Sequence, residues 1–191
     1  MKKLLTIILL FISYSCTDTN DSEAKREMIP GRDVYIAGHI TDGAGNTTAC
    51  YWKNGERVDL GPGEIEDIVV VDGTVYSVGW TYGASSSYWV GNESFELEGS
   101  GAEAYAIAVH AGDVYTTGRD NSGACFWKNT QKTKLSGGDS SGYGIAVRDN
   151  GDVFIGGYYQ NNHFVVPAKW KNGTRSNLSL SLIHISEPTR P

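Results

Sequence analysis

The chain lacks an excess of basic residues. Its 16 Lys and Arg stand against 22 Asp and Glu, a formal charge of −6. A nucleic-acid binder needs a basic footprint that neutralises phosphates, so that class is set aside. An acidic balance suits a solvated surface that resists self-association. The sequence also lacks an apolar run long enough to cross a bilayer as a helix, for which about 20 residues are needed. Metal-binding patterns are missing too. His39, His110, His163 and His184 do not pair with another His, Cys or carboxylate at ligand spacing. Each reads as a solvated or hydrogen-bonded histidine, and no metal or cofactor is expected. There is no G-x-S-x-G elbow, Walker loop or H-E-x-x-H, so no catalytic residue is assigned. Asp149-Asn150-Gly151-Asp152 comes nearest to a calcium loop. It lacks the alternating ligands and distal Glu of an EF-hand and reads as a hairpin turn.

What the first residues do contain is an export signal. Lys2 and Lys3 precede an apolar stretch, Leu4 to Ile12, interrupted only by Thr6. Its length is that of a signal-peptide core. Ser15 directly before Cys16 resembles the lipobox of bacterial lipoproteins, although Ser13 stands where Leu or Val is usual. That resemblance implies cleavage after residue 15, a lipid on Cys16 and anchorage in the envelope at the outer membrane. A plain secretory signal without lipid is the alternative. Residues 16–31 are polar and carry Asp18, Asp21, Glu23 and Glu27, the composition of a flexible tether. Acids just after the Cys also resemble the surface-export signal of Bacteroides-group lipoproteins.

From residue 32 the sequence repeats itself, the first property to test in any chain. Four segments align: Asp33-Val34-Tyr35-Ile36-Ala37-Gly38, Thr74-Val75-Tyr76-Ser77-Val78-Gly79, Asp113-Val114-Tyr115-Thr116-Thr117-Gly118 and Asp152-Val153-Phe154-Ile155-Gly156-Gly157. Their starts lie 41, 39 and 39 residues apart. Each is rich in β-branched and aromatic residues and reads as a strand. A second strand follows in each repeat, around Trp52, Trp89, Trp127 and Trp170. Asn54-Gly55 and Asn172-Gly173 then favour two-residue hairpin turns. A short third strand ends near Leu60, Leu97, Leu135 and Leu178. In repeats two to four a further strand comes first: Ile68-Val69-Val70, Ile107-Ala108-Val109 and Ile145-Ala146-Val147. The unit is four short antiparallel strands in about forty residues, the size of one propeller blade.

Alternation along a strand assigns faces. Cys50 and Trp52 share one side, and the small-then-Trp pair recurs as Ser87/Trp89, Cys125/Trp127 and Ala168/Trp170. A large residue beside a small one suits packing between neighbouring twisted sheets, so the Trp row is expected to be core. Cys50 and Cys125 occupy equivalent positions in non-adjacent repeats, too far apart for a disulfide. Two free buried thiols are expected.

The recurring D-V-Y-x-x-G, Y-W-K-N-G and terminal Leu resemble the repeats of uncharacterised β-propeller lipoproteins of Bacteroides and Flavobacteria type. The resemblance covers residues 32–178 and implies an all-β, β-propeller-like array with blades near 32–60, 65–98, 104–136 and 143–180. It implies no activity, because propellers host unrelated functions. The first repeat lacks its leading strand, and Glu27 to Arg32 offers no substitute. A late strand would supply it if the ring closed, and would fall near residue 184. Residues 181–191 there resemble the translation of a sequencing adapter and are set aside as a non-native tail. An incomplete ring is therefore expected, with closure through Leu182 to Ile185 as the alternative.

If a ligand binds, loops on one face of the array should hold it. The candidates between the strand that ends at the repeated Gly and the strand around Trp are Trp80, Tyr82, Arg119, Tyr158, Tyr159 and His163, beside Asp120, Asn161 and Asn162. A neighbouring set between repeats includes Glu64, Glu66, Asp67, Glu103, Tyr105, Asp139 and Tyr143. Aromatic rings beside Asn, Arg and carboxylates suit a glycan or a protein partner. The expected function is a non-enzymatic binding or interaction module at the cell envelope. One alternative is a polysaccharide lyase or hydrolase, to which Asp67, Glu103 and His163 could contribute acid or base. The other is a structural fragment with no function of its own.

Overall fold

In the computed structural model, residues 33–82, 86–161 and 164–178 are described. Cys16, His163, the leader, the tether and the tail lie outside them. The described chain is all β and its strands pair antiparallel. The first repeat supplies β1 (Tyr35–Thr41), β2 (Thr47–Lys53) and the start of β3 (Glu56–Val71). The second supplies the rest of β3, then β4 (Thr74–Thr81), β5 (Ser86–Val90) and β6 (Glu93–Glu96). The third is β7 (Glu103–His110), β8 (Asp113–Asp120), β9 (Gly123–Lys128) and β10 (Gln131–Lys134). The fourth is β11 (Ser140–Val147), β12 (Val153–Asn161), β13 (Phe164–Lys171) and β14 (Thr174–Asn177).

These strands make sheets of six, four and four strands. The six-stranded sheet departs from the expected break between residues 60 and 65. β3 runs on without interruption, pairing with β2 in its first half and with β4 in its second. Gly61 and Gly63, at φ 110° and 144°, let the strand turn from one repeat into the next without ending.

A bulge accounts for the glycine that closes each D-V-Y-x-x-G segment. In β3, β7 and β11 one extra residue is left unpaired: Glu66, Tyr105 and Tyr143. The bulge pushes the preceding carbonyl toward the partner strand. A Cβ on Gly79, Gly118 or Gly157 would fall on the carbonyl oxygen of Glu64, Glu103 or Ser141 respectively. Only glycine fits there. Gly38 is the exception: a Cβ on it would meet nothing nearer than the Trp52 ring at 3.7 Å. Among the described residues, β1 has no bulged strand beside it.

The Asp-Val and Lys-Asn signatures form one polar latch, built three times. Asn54, Asn129 and Asn172 sit in hairpin turns at φ 54°, 55° and 49°. Each side-chain oxygen accepts the amide of Val34, Val114 or Val153, at 2.9, 3.0 and 2.8 Å. Each side-chain amide donates to Asp33, Asp113 or Asp152. Lys53, Lys128 and Lys171 then pair with the same carboxylates. Hydrogen bonds from lysine and asparagine hold these carboxyls below the usual range, Asp152 at about 2. The second repeat has Thr74 and Gly91 at the Asp and Asn positions and keeps only the backbone bond, Gly91 to Val75.

Consecutive repeats pack through apolar side chains. Trp89 covers Ala49 and Ile65; Trp127 packs with Val78, Tyr88, Leu97 and Ala104; Trp170 packs with Tyr115, Phe126 and Leu135. All three rings are at most 1% exposed. The Trp127 indole donates to the Glu98 carbonyl, and Trp170 to Ser136, each at 2.7 Å. A buried indole N–H needs such a partner, and the residue after the terminal Leu supplies it. Trp52 has no preceding repeat among the described residues and stays half-exposed.

Cys50 and Cys125 are free and fully buried. Burial raises both thiols, Cys125 to about 12. At pH 8 about one Cys125 in ten thousand would be thiolate, the reactive form. In native protein neither thiol should react with iodoacetamide over minutes. Unfolding in denaturant without reductant should expose both. Peptide mapping that finds Cys50 and Cys125 unmodified after unfolding would reveal a disulfide.

Candidate functional site

The bulges that explain the glycines also build a surface. A bulge re-aims the side chain of its extra residue, and here that residue changes from repeat to repeat: Glu66, Tyr105, Tyr143. The residue after each conserved glycine changes as well: His39, Trp80, Arg119, Tyr158. These two rows neighbour each other, because Trp80 lies opposite Glu64, Arg119 opposite Glu103 and Tyr158 opposite Ser141. A constant backbone thus carries variable side chains, an arrangement that serves recognition.

The side chains converge. Tyr105 and Tyr143 have ring centroids 5.2 Å apart, and Tyr143 and Tyr158 5.9 Å. Trp80 and Tyr82 meet edge to face at 4.8 Å. Tyr82 and Tyr143 expose more than half of their surface. Between the two aromatic groups lies a cleft of about 330 Å³, lined by Glu66, Trp80, Ser86, Ala102, Glu103, Ala104 and Tyr105. That volume is at the low end for a small-ligand pocket.

Charges of both signs flank the rings. Arg119 reaches Glu103 at 3.9 Å, and the Tyr105 hydroxyl donates to the same carboxylate. Burial, then the bond to Glu103, pushes the Tyr105 phenol well above its ordinary range. Burial and the neighbouring Tyr158 raise Tyr143. The Tyr105 hydroxyl proton is committed to Glu103, and its oxygen can accept from a ligand. His39 adds a contact to Glu64 at 3.4 Å.

No family model and no curated protein matches this chain.

Trp80, Tyr82, Arg119 and Tyr158 therefore belong to one continuous face. Except for Tyr82, in the turn after β4, they lie on strands and not in loops, because β4, β8 and β12 run past the conserved glycine. Tyr159 points the other way. It is buried in the packing between the third and fourth repeats, with the Arg175 guanidinium 3.6 Å above its ring. Alternation along β12 explains the split from Tyr158. His163 lies outside the described residues. Asp120 is also buried and is gripped by Lys132 at 2.6 Å and by Ser122.

Tyr105 and Tyr143 are central to the face, though the sequence places them only in connections between repeats. Their signal was a tyrosine at the same offset from the Ile-x-Val motif in two repeats. Asp67 has a structural role. Its carboxylate accepts the amides of Ile68 at 2.8 Å and Ile107 at 3.0 Å, joining β3 to β7. Among the described residues, no three His, Cys, Asp or Glu side chains gather as a metal site would need.

Proposed function

We propose that this chain is an exported β-propeller protein that binds a carbohydrate on its bulge-lined face without turning it over. The single observation that carries the binding reading is the tyrosine ladder Tyr105–Tyr143–Tyr158, exposed at Tyr143 and half-buried at its two ends, which leads into the Trp80 cleft. Flat rings offer apolar faces to the C–H side of a sugar ring. Arg119, Glu66 and Glu103 offer donors and acceptors to its hydroxyls. The propeller arrangement is supported by strand packing: β7 lies against β3 and β4, and β11 against β7 and β8. Each repeat is thus set against the leading edge of the one before. Export and a lipid on Cys16 rest on the leader sequence alone.

The test is a glycan array probed with purified full-length protein, followed by titration of any hit. Wild-type protein should retain a defined glycan, and Y143A should bind about tenfold more weakly, or ~1.4 kcal/mol, as for a truncated aromatic anchor. R119A should lose affinity also. Equal binding by Y143A and wild type would remove the ladder from the site. Release of shortened or unsaturated sugar would replace this proposal with the lyase or hydrolase reading.

A further inference from the structure

The first repeat keeps a glycine that nothing in the described structure requires. Gly79, Gly118 and Gly157 are glycine because a bulged strand presses a carbonyl onto them. Gly38 holds the same place on β1, yet a Cβ there would meet no backbone, only the Trp52 ring at 3.7 Å. β1 is the edge of its sheet, with β2 as its one partner among the described residues. A free strand edge is a row of unpaired backbone donors and acceptors.

A second observation points the same way. Val34, just before β1, and Ile36 on it are 57% and 55% exposed. Their counterparts in the other repeats are Val75/Ser77, Val114/Thr116 and Val153/Ile155, all buried. Each counterpart lies opposite the leading strand: Ile68 faces Ser77, Ile107 faces Thr116 and Ile145 faces Ile155. Val70, Val109 and Val147 face Val75, Val114 and Val153 in turn. Ile-x-Val thus covers these positions from the side, while the preceding repeat covers Val114, Val153 and Ile155 from the Trp face.

We propose that the β1 edge is a strand-acceptor site. Its occupant is an extended segment from a polypeptide partner, paired antiparallel, with a one-residue bulge whose preceding carbonyl sits against Gly38. Two residues after the bulged one, the segment carries Ile-x-Val, placing its Ile against Ile36 and its Val against Val34. Main-chain hydrogen bonds give such a complex its affinity, and the two apolar pairs fix its register.

The experiment is fluorescence anisotropy of a labelled peptide with the sequence of residues 101–110, titrated with full-length protein. Saturable binding is expected, weakened at least tenfold by G38V and by I36D, and by Asp in place of Ile and Val in the peptide. A Cβ at position 38 meets only the Trp52 ring at 3.7 Å, and a thermal melt of G38V checks that the fold is kept. Binding that G38V and I36D leave unchanged, or no binding to an edge whose amides exchange freely, would overturn the proposal. If the edge is already filled in solution, hydrogen exchange will show the β1 amides protected without peptide and exposed in G38V. Protection in a dimer, shown by sedimentation, supports the acceptor site with a second copy as the partner; protection in a monomer means that the chain fills its own edge and overturns the partner. The glycan array does not depend on β1, so either proposal can fail alone.

Discussion

Replacing Gly118 by Ala should destabilise the protein by about 3 kcal/mol, the upper end of the cost of overpacking a fixed site. The new methyl group would land on the Glu103 carbonyl, and a backbone oxygen held in a bulge cannot swing aside as a side-chain tip can. Gly79→Ala and Gly157→Ala should cost a similar amount for the same reason. Gly38→Ala should be nearly neutral in the isolated chain, because the Trp52 ring at 3.7 Å is at ordinary contact distance. Urea unfolding of the four variants gives the comparison. The informative quantity is the difference between Gly38 and the other three. A Gly38 variant as damaged as the Gly118 variant would mean that a bulged strand already lies along β1 in solution.

Trp127→Ala should cost about 4–5 kcal/mol. Truncating a buried aromatic ring to Ala costs roughly 3–5 kcal/mol in lost transfer energy and residual cavity. Here it also strips the Glu98 carbonyl of the indole donor at 2.7 Å. Against a typical total stability of about 5–15 kcal/mol, that loss would leave a large unfolded fraction at room temperature. Trp52→Ala should cost less, about 2 kcal/mol, since that ring is only partly buried. Denaturant midpoints at equal m-value are the appropriate readout. Equal losses at the two positions would contradict the unequal burial from which both predictions follow.

The repeat could be read from the sequence because each of its signatures answers a local demand. Asn-Gly marks a turn that needs positive φ, and the alternation of Cys50 with Trp52 or Cys125 with Trp127 assigns a packing face. The core position of Trp89, Trp127 and Trp170 follows from that alternation and the unpaired state of the two thiols from the repeat spacing, whereas Trp52 shares the alternation but lacks a preceding repeat among the described residues to bury it. The continuous β3 did not follow, because Gly61-Pro62-Gly63 reads locally as a break. Pairing with β2 on one side and β4 on the other carries the strand through it.

The candidate site was only half legible. Trp80, Arg119 and Tyr158 stood out as residues in the connections between strands, but Tyr159 was indistinguishable from Tyr158 until the register of β12 assigned one to the surface and the other to the core. Tyr105 and Tyr143 were named only among the connections between repeats, because a bulge leaves no mark in composition; it shows only when two strands are paired and one residue is left over. The sequence by itself determined the repeat, its strands, its buried tryptophans and its free thiols, because periodicity and alternation are properties of a single strand. Tertiary structure alone decided which side chains of different strands share a face and why the repeat must end in glycine. Those are properties of pairs of strands, and pairing is settled by packing at a distance along the chain.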